Sequence, residues 1–526
     1  MTAVALWVIP AVATAQSDAS QIIDEGMNRS QVMATAHQLL DGIGARLTNS
    51  TSMRRAEDWA VAKMQSYGLS NVHREGFEFG RGWDLLSSEV RMVSPRPLEL
   101  TAIPVAWTPG TNGTLQAPII VAPISERRHF DAYRGKLRGK IVLISLPGEG
   151  SEPTEPYFKR YDSSDLAKLD EYQQPKHDPD SLEERLKRLK YAADLDAFLA
   201  AEGAVAWARV SRRDGKLLHG EGYSFRVGET PKLPGIELAA EDYRRLARLA
   251  KDSEPPLLEI NSTVRFVDTD TQAYNIIGEI PGSDPKAGYV MAGAHFDSWV
   301  AGDGAVDNGA GSVVVLEAAR ILRQLGVRPK RTIRFALWSG EEQGLYGSLA
   351  YVERHLAARP VPAGTSVAEW PSYWREGWPI ERRAGYGQLK AYFNMDNGSG
   401  KLRGVYAEGH HGAVPLLKEW MAPFASMGAT AVVAAPTGGT DHVYMQAVGV
   451  PGFQFVQDPL DYSSRLHHTS IDTFDHLKAA DLRQASVVMA GMLLAAANSD
   501  KELPRTPLPT RPLPTDPFEY EYPKDR

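Results

Sequence analysis

The pattern of hydrophobic and polar positions changes character along the chain of 526 residues. From Ser30 to about Leu69, apolar residues recur at helical spacing in two blocks separated by "GARLTNST", which predicts two helices joined by a loop. From about residue 94 to residue 264, short apolar runs such as "APIIVAP" and "GKIVLISL" lie between turns, which predicts short strands. From Ala273 onward strand and helix patterns alternate, which is typical of an α/β sheet covered by helices.

The two ends of the chain differ from the rest. The apolar run "MTAVALWVIPAVATAQ" ends in Ala13-Thr14-Ala15, a small-x-small pattern typical of signal-peptide cleavage. We expect a signal peptide over residues 1–15 and an exported protein, periplasmic or secreted. Because the run lacks a positive charge before it, an N-terminal strand or helix of the fold is the alternative. The proline-rich residues 501–526 predict an extended or disordered tail.

Composition excludes several classes of function. The net charge of −7 gives no indication of a nucleic-acid partner or of binding to an anionic membrane. The later apolar stretch "ASVVMAGMLLAAAN" is too short to cross a bilayer and predicts a buried helix, so we expect no membrane span in the mature chain. The sequence has no cysteine, which excludes disulfides and thiolate chemistry. Imidazole and carboxylate groups remain as the strong metal ligands.

Residues 295–311, "HFDSWVAGDGAVDNGAG", combine a histidine and three acids with glycine and other small residues. The histidine ends an apolar strand pattern, and similar side chains follow the other predicted strands of this half. We expect them all at one edge of the sheet, where functional groups of α/β proteins collect. The candidates are His295, Asp307, Glu341, Glu342, Asp396 and His468.

Histidines and carboxylates without thiols favour a divalent metal, zinc above all. The sequence offers more carboxylates than one catalytic zinc needs. The surplus indicates two ions about 3.5 to 4 Å apart that share a bridging carboxylate.

The motifs "HFDSW…GAVDNGAG", "SGEEQGLYGS", "NMDNGSG" and "HHTSIDT" occur in this order. In them the chain resembles the co-catalytic di-zinc exopeptidases of clan MH, which include bacterial leucyl aminopeptidases and plasma glutamate carboxypeptidase. "GKLRGKIVLI" and "LPGIELAAEDYRRLARLA" resemble the protease-associated domain. The resemblance implies an α/β fold with a mixed sheet covered by helices and an inserted small β-rich protease-associated domain. The expected parts are a signal peptide (1–15), an N-terminal helical part of the peptidase domain (16–93), the inserted domain (94–264), the catalytic domain (265–500) and the tail (501–526).

The resemblance also implies a role for each candidate residue. His295 and Asp396 would bind one zinc, Glu342 and His468 the other, and Asp307 would bridge both, with a cis peptide before Asn308. Glu341 would be the general base for the metal-bridging water. Asp297 would orient His295. His442 and Tyr462 would polarise the scissile carbonyl or stabilise the oxyanion.

His467 competes with its neighbour His468 for the ligand role. The spacing to Asp472 and Thr473 resembles the family pattern with His468, so we expect His468 to be the ligand.

The expected function is therefore a zinc-dependent exopeptidase with two zinc ions per chain that hydrolyses the N-terminal bond of peptides or dipeptides. One alternative is a dipeptidase or carboxypeptidase like plasma glutamate carboxypeptidase. A second is a catalytically silent binding protein on the same scaffold. Peptide substrate is the expected partner, and the pattern favours no particular oligomeric state.

Overall fold

The computed structural model of the protein describes residues 11–171 and 181–510. Residues 1–10 of the predicted signal peptide and residues 511–526 of the predicted tail lie outside the described residues. Residues 11–15 belong to a helix that continues to Asn28, and its residues Ala19 and Ile22 are buried. Residues 501–510 form no helix or strand, and Leu503 among them is buried.

The helices and strands of the described residues follow one another in a mixed order. The helices are α1 (Ala11–Asn28), α2 (Val32–Leu40), α3 (Thr51–Ser66), α4 (Ser163–Lys168), α5 (Leu182–Ala201), α6 (Ala240–Leu249), α7 (Ala310–Gln324), α8 (Tyr346–His355), α9 (Trp370–Glu376), α10 (Val414–Met421), α11 (His442–Ala447) and α12 (Ala479–Asn498). The strands are β1 (Ser70–Glu78), β2 (Gly82–Ser94), β3 (Leu98–Glu99), β4 (Ala102–Pro104), β5 (Leu115–Val121), β6 (Ile141–Leu143), β7 (Ala206–Val210), β8 (Gly235–Leu238), β9 (Leu257–Val267), β10 (Gln272–Ile280), β11 (Tyr289–His295), β12 (Thr332–Trp338), β13 (Ala357–Ala358), β14 (Glu381–Arg382), β15 (Leu389–Asn394), β16 (Leu402–Tyr406), β17 (Ala431–Val433) and β18 (Gly452–Gln457).

The first large sheet has the order β1-β10-β12-β11-β15-β18-β16-β17. Its centre, β12-β11-β15-β18, is parallel, whereas β1 and β10 pair antiparallel at one side. Every residue of β11 is buried, because helices cover both faces of the sheet. This mixed sheet between helices confirms the predicted α/β fold.

Alternate residues of the central strands pack in two separate hydrophobic cores, one on each face of the sheet. Val290, Ala292 and Ala294 of β11 pack in the core beneath α1, α2, α7 and α12, whereas Tyr289 and Met291 pack in the core that contains residues of α8, α9 and α11. This is the period of two that a strand between two helical layers requires. The sheet is thereby held rigidly from both sides.

Helix α12 contains the stretch predicted to be a buried helix. By length and composition alone it is apolar enough to cross a membrane, but 78% of its apolar window is buried inside the protein. It packs against α7 and α1, and Val487, Val488 and Met489 contribute to the same core as the central strands. The prediction of a core helix is confirmed.

The second large sheet has the order β3-β2-β9-β5-β6-β7-β8-β4 and a core of its own. Its long strands β2 and β9 pair antiparallel, and they lie between β1 and β10, which pair with each other in the first sheet. We call residues 82–267 the insert. The strands that border the insert, β2 and β9, extend beyond the predicted limits 94–264, and residues 70–93, expected in the helical part, contain β1 and most of β2. The irregular burial along β2 lacks the strict alternation that marks a strand in sequence.

Candidate metal centre

The strand ends of the first sheet bring the candidate ligands together. His295 is the last residue of β11 and is in register with Trp338, the last residue of the parallel strand β12. Glu341 and Glu342 follow β12, and Asp396 follows β15 on the other side of β11. Since parallel strands end at the same edge, these side chains meet there, as the sequence predicts.

A first group of donor atoms surrounds the imidazole of His295. Its Nε2 lies 3.2 Å from Asp396 Oδ1 and 3.3 Å from Asp307 Oδ1. The three side chains are buried, and their donor atoms lie within 4.8 Å of one another. This spacing allows one ion to contact all three side chains.

A second group surrounds His468. Its Nε2 lies 2.9 Å from Glu342 Oε2 and 3.3 Å from Asp307 Oδ2. Asp307 therefore presents one carboxylate oxygen to each histidine. It is the residue that the two groups share.

His467 stacks on His468 with ring centroids 3.7 Å apart. Its Nε2 is 3.8 Å from Asp307 Oδ2, and its side chain is 35% exposed against 17% for His468. His468 is thus closer both to Asp307 and to Glu342. The geometry favours His468 as the ligand.

The donor set fits zinc. The Nδ1 of His295 lies 3.0 Å from the carbonyl oxygen of Asp297, and the Nδ1 of His468 lies 2.6 Å from Glu221 Oε1. With each Nδ1 engaged in these contacts, each Nε2 faces carboxylate oxygens, so a cation between them would meet nitrogen and oxygen donors together. Asp307 Oδ2 and Glu342 Oε1 are also buried without a hydrogen-bond partner within the described residues. Nitrogen and oxygen donors of this kind suit zinc.

The loop before α7 aims the carboxylate of Asp307. The Asp307–Asn308 peptide is cis, as the resemblance implies. Asp472 accepts hydrogen bonds from the main-chain N–H groups of Val306 at 2.7 Å and Asp307 at 3.2 Å. The Asn308 amide donates to the carbonyl oxygen of Met395 at 2.8 Å. Hydrogen bonds on both sides of this peptide therefore hold the shared candidate ligand in place.

Arg46 supports the same loop, a role that no pattern in the sequence indicates. It is fully buried, and its guanidinium donates to the carbonyl oxygens of Phe296, Asp303 and Gly304 at 2.8 to 2.9 Å. Burial lowers the pKa of Arg46 to about 10, and the nearby Asp472 opposes the shift. In the sequence Arg46 lies in the loop "GARLTNST", where an arginine is ordinarily exposed.

Asp297 is placed differently from the prediction. Its carboxylate oxygen lies 3.9 Å from His295 Nδ1, beyond hydrogen-bond distance, and the ring faces the main-chain carbonyl of Asp297 instead. The carboxylate accepts from the main-chain N–H groups of Glu341 and Glu342, each at 3.2 Å, and from Thr48. Asp297 thus positions the two glutamates with its side chain and His295 with its main chain.

Glu341 stands beside the first group, with Oε2 4.0 Å from His295 Nε2. Burial raises its pKa well above the ordinary value; His295 opposes the shift, and the negative charges of Asp396 and Asp441 add to it. A carboxylate in this environment binds a proton readily, which is what a general base requires.

Tyr462 and His442 differ in their relation to the centre. The ring of Tyr462 lies 5.1 Å from that of His467 between centroids; burial raises the pKa of its hydroxyl, and the negative charges of Asp307 and Asp396 add to the shift. The Nε2 of buried His442 lies 3.2 Å from Glu408 Oε1. Its neighbour Asp441 is the group that interacts with the centre: burial raises its pKa to about 7, opposed by His295 and assisted by Asp396. Asp441 directly precedes His442 in the sequence, but the resemblance points to the histidine.

Comparison with known proteins finds peptidases both by sequence and by structure. Residues 275–493 match the model of peptidase family M28. Carboxypeptidase Q of Mus musculus is 26% identical over 473 residues, which cover 89% of this chain and 86% of that protein. The fold is similar to the peptidase M28 precursor from Shewanella amazonensis SB2B (TM-score 0.66, 24% identity, 95% of this chain and 100% of that chain). It is also similar to a zinc aminopeptidase from Bacillus subtilis (TM-score 0.55, 20% identity, 89% and 95%).

The α/β fold and the histidine–carboxylate cluster at its strand ends define a zinc metallopeptidase, a hydrolase. Residues 275–493 are similar to peptidase family M28, and the relative matched over most of the chain is a peptidase as well.

Proposed function

We propose that the protein is an exopeptidase with two zinc ions that hydrolyses the N-terminal bond of peptides or dipeptides. The observation that carries this proposal is the position of Asp307 between two histidines, each with its own further carboxylate. His295 and Asp396 would hold one ion, Glu342 and His468 the other, and Asp307 both. Two-metal sites with a shared carboxylate are typical of aminopeptidases among other hydrolases.

Each residue near the centre has a definite task in hydrolysis. Zinc bound by these residues would supply Lewis acidity, to polarise the scissile carbonyl and lower the pKa of the attacking water. Glu341 takes the proton of that water and returns it to the leaving amine nitrogen. Asp297 holds the main chain of Glu341 and Glu342, so that one carboxylate binds metal and the other remains available for proton transfer. We assign oxyanion stabilisation to Tyr462, with His442 as the second candidate.

The surplus of acids favours a substrate with a free α-ammonium group. Asp441 is a buried carboxyl group that interacts electrostatically with His295 and Asp396 and has neither a metal-binding nor a catalytic role in this assignment. We expect cleavage of aminoacyl chromogenic substrates and no turnover of their N-acetylated counterparts, since acetylation removes the charge that the acids recognise. Equal rates on the matched pair would contradict the aminopeptidase proposal.

A second candidate function is a carboxypeptidase or dipeptidase, and Arg213 favours it. Its guanidinium donates to the main-chain carbonyls of His467 and Ser463 and, within the described residues, has no carboxylate within 4.0 Å. A positive charge beside the centre with only neutral acceptors suits the C-terminal carboxylate of a short substrate. The relative matched over most of its length is likewise named a carboxypeptidase.

Arg213→Met tests this candidate, with Arg226→Met in the same loop as the control. For a dipeptidase or carboxypeptidase we expect a raised KM for dipeptides with a free C-terminus and an unchanged KM for the C-terminal amides. Release of a C-terminal residue from N-acetylated dipeptides would support this candidate over the aminopeptidase. Identical KM values for both variants and both substrate types would refute it.

We further propose that the protein is exported and that the insert is a protease-associated domain. Cleavage before Gln16 leaves the buried residues Ala19 and Ile22 of α1 in the mature chain, so the core keeps its contacts. N-terminal sequencing of the exported protein is the measurement, and Gln16 is the expected first residue.

A further inference from the structure

The loop of residues 211–234 connects β7 with β8 in the insert and returns to the metal centre. The main-chain N–H of Ser470 donates to the carbonyl of Leu218 at 2.8 Å, and the N–H of Leu218 donates to Ser470 Oγ at 3.2 Å. Ser470 follows His468 by two positions. The segment that carries a candidate zinc ligand is therefore bonded directly to the insert.

Glu221, in this loop, contacts the far side of the imidazole of His468. Its Oε1 lies 2.6 Å from His468 Nδ1, and its Oε2 lies 2.7 Å from Arg212 Nη1. The side chain of Glu221 is only 12% exposed. The carboxylate is thus held between the ring of His468 and a guanidinium of its own loop, with one oxygen for each.

The main chain of Glu221 is anchored to the strands of the second sheet. Arg209 on β7 donates to the carbonyl of Glu221 at 2.8 Å and to Glu237 Oε2 on β8 at 2.9 Å. Glu237 Oε1 in turn accepts from the N–H of His219 at 2.6 Å. Hydrogen bonds therefore connect β7 and β8 with the ring of His468 through Glu221.

We propose that Glu221 is a positioning residue for His468, through which the insert completes the zinc site. A carboxylate that accepts the Nδ1–H of a ligating imidazole fixes the tautomer and orientation of the ring. It also makes the other ring nitrogen a better electron-pair donor to the metal. The inference rests on the proposed role of His468 as a zinc ligand. It gives the insert a part in metal binding in addition to any part in substrate binding.

The test measures zinc affinity rather than activity. Glu221→Ala should weaken binding of one of the two zinc ions by about 10- to 100-fold, the usual cost of removing such a partner. Glu221→Gln should lose less, because its amide oxygen still accepts the hydrogen bond but carries no charge. Competition with a chromogenic chelator at several pH values gives both affinities, corrected for the protons that zinc displaces. Glu229→Ala is the matched control, since Glu229 lies in the same loop with its side chain 60% exposed and pairs with Arg226.

Parent-like zinc affinity in Glu221→Ala overturns the inference. If Glu221→Ala does not fold, Glu221→Gln decides: a weakened single zinc supports the inference, and parent affinity for both ions refutes it. His468→Ala separates this result from the proposed function. Unchanged zinc content in His468→Ala would refute the ligand assignment itself, whereas parent affinity in the Glu221 variants alone refutes only the role of the insert.

Discussion

The two large sheets bring polar side chains to the metal centre in different ways. In the first sheet, His295, Glu342 and Asp396 follow the ends of buried parallel strands, so the strand register fixes where they meet. In the second sheet, Glu221 comes from an irregular loop that hydrogen bonds hold in place. The first arrangement positions groups by the backbone of the sheet, and the second positions them by side-chain contacts that single substitutions can remove.

The two regions also treat charged side chains differently. Beneath the first sheet, Arg320 of α7 is only 7% exposed and lies between Glu25 at 2.7 Å and Glu317 at 2.8 Å. On the second sheet, Arg91 pairs with Glu259 across β2 and β9 while its own side chain remains 53% exposed. Loss of the buried ion pairs of Arg320 should therefore lower the free energy of unfolding much more than loss of the exposed pair of Arg91.

The largest expected effect concerns catalysis at the first sheet. Glu341→Gln keeps the shape of the side chain and removes its basicity, so we expect turnover to fall about 10²- to 10⁴-fold while both zinc ions remain. Elemental analysis and single-turnover assays measure the two quantities, and Glu419→Gln on α10 is an exposed control. Loss of zinc in Glu341→Gln would show instead that Glu341 is a ligand.

The next effect concerns the stability of the layer beneath that sheet. Arg320→Met leaves Glu25 and Glu317 buried without their cation, which should lower the free energy of unfolding by about 3–5 kcal/mol. Arg323→Met on the same helix, where the side chain is exposed, is the control. Denaturant unfolding of the two variants measures the difference. Equal unfolding midpoints would show that the buried ion pairs of Arg320 contribute no more to stability than an exposed arginine does.

The sequence predicted the parts of the centre that depend on strand ends. The candidate ligands in the first sheet could be found because a short apolar run, followed by a histidine or an acid, marks the end of a buried strand. Arg46, Glu221 and the side-chain role of Asp297 could not be found in this way. Their partners are distant in sequence, and their positions depend on tertiary hydrogen bonds that no local pattern encodes.

Prediction of the fold from local sequence patterns has the same limit. Alternation of strands and helices after Ala273 was sufficient to predict the covered sheet, whereas β1 and β2 were missed. The burial of β2 varies irregularly along its length because it pairs with β9 over a long, bulged register. Trp374 gives a third example: it lies in the long segment between β13 and β14, where nothing in the sequence distinguishes a core residue from an exposed one, and the structure buries it fully against Tyr444 at 5.2 Å between ring centroids.

A third prediction uses the carboxylates that the two sheets place on either side of His468. Burial lowers the pKa of His468, but Glu342 from the first sheet and Glu221 from the insert outweigh burial and raise it to about 11 in the metal-free protein. Zinc binds the neutral imidazole, so at pH 7 to 9 binding must release this proton. Zinc affinity should therefore rise with pH, by up to about tenfold per unit for each proton released.

Calorimetry in buffers of different ionisation enthalpy counts the protons released at pH 7 and pH 8. Glu221→Gln removes the charge supplied by the insert and should lower the pKa of His468 toward its ordinary value. The pH dependence should then become shallower in that variant. Affinity that does not change with pH in the parent protein would contradict protonation of His468 in the metal-free state.

The smallest effect is expected on the exposed face of the second sheet. Arg91→Ala removes the ion pair with Glu259, and because solvent already screens both charges, the free energy of unfolding should fall by only about 0.2–1 kcal/mol. The pair should weaken further in high salt, so the difference between Arg91→Ala and the parent should shrink as salt is added. Arg320→Met should keep most of its deficit under the same conditions, since its partners are buried. Denaturant unfolding at low and high salt measures both variants, and a deficit for Arg91→Ala as large as that for Arg320→Met would mean that exposure does not set the cost of losing an ion pair in this protein.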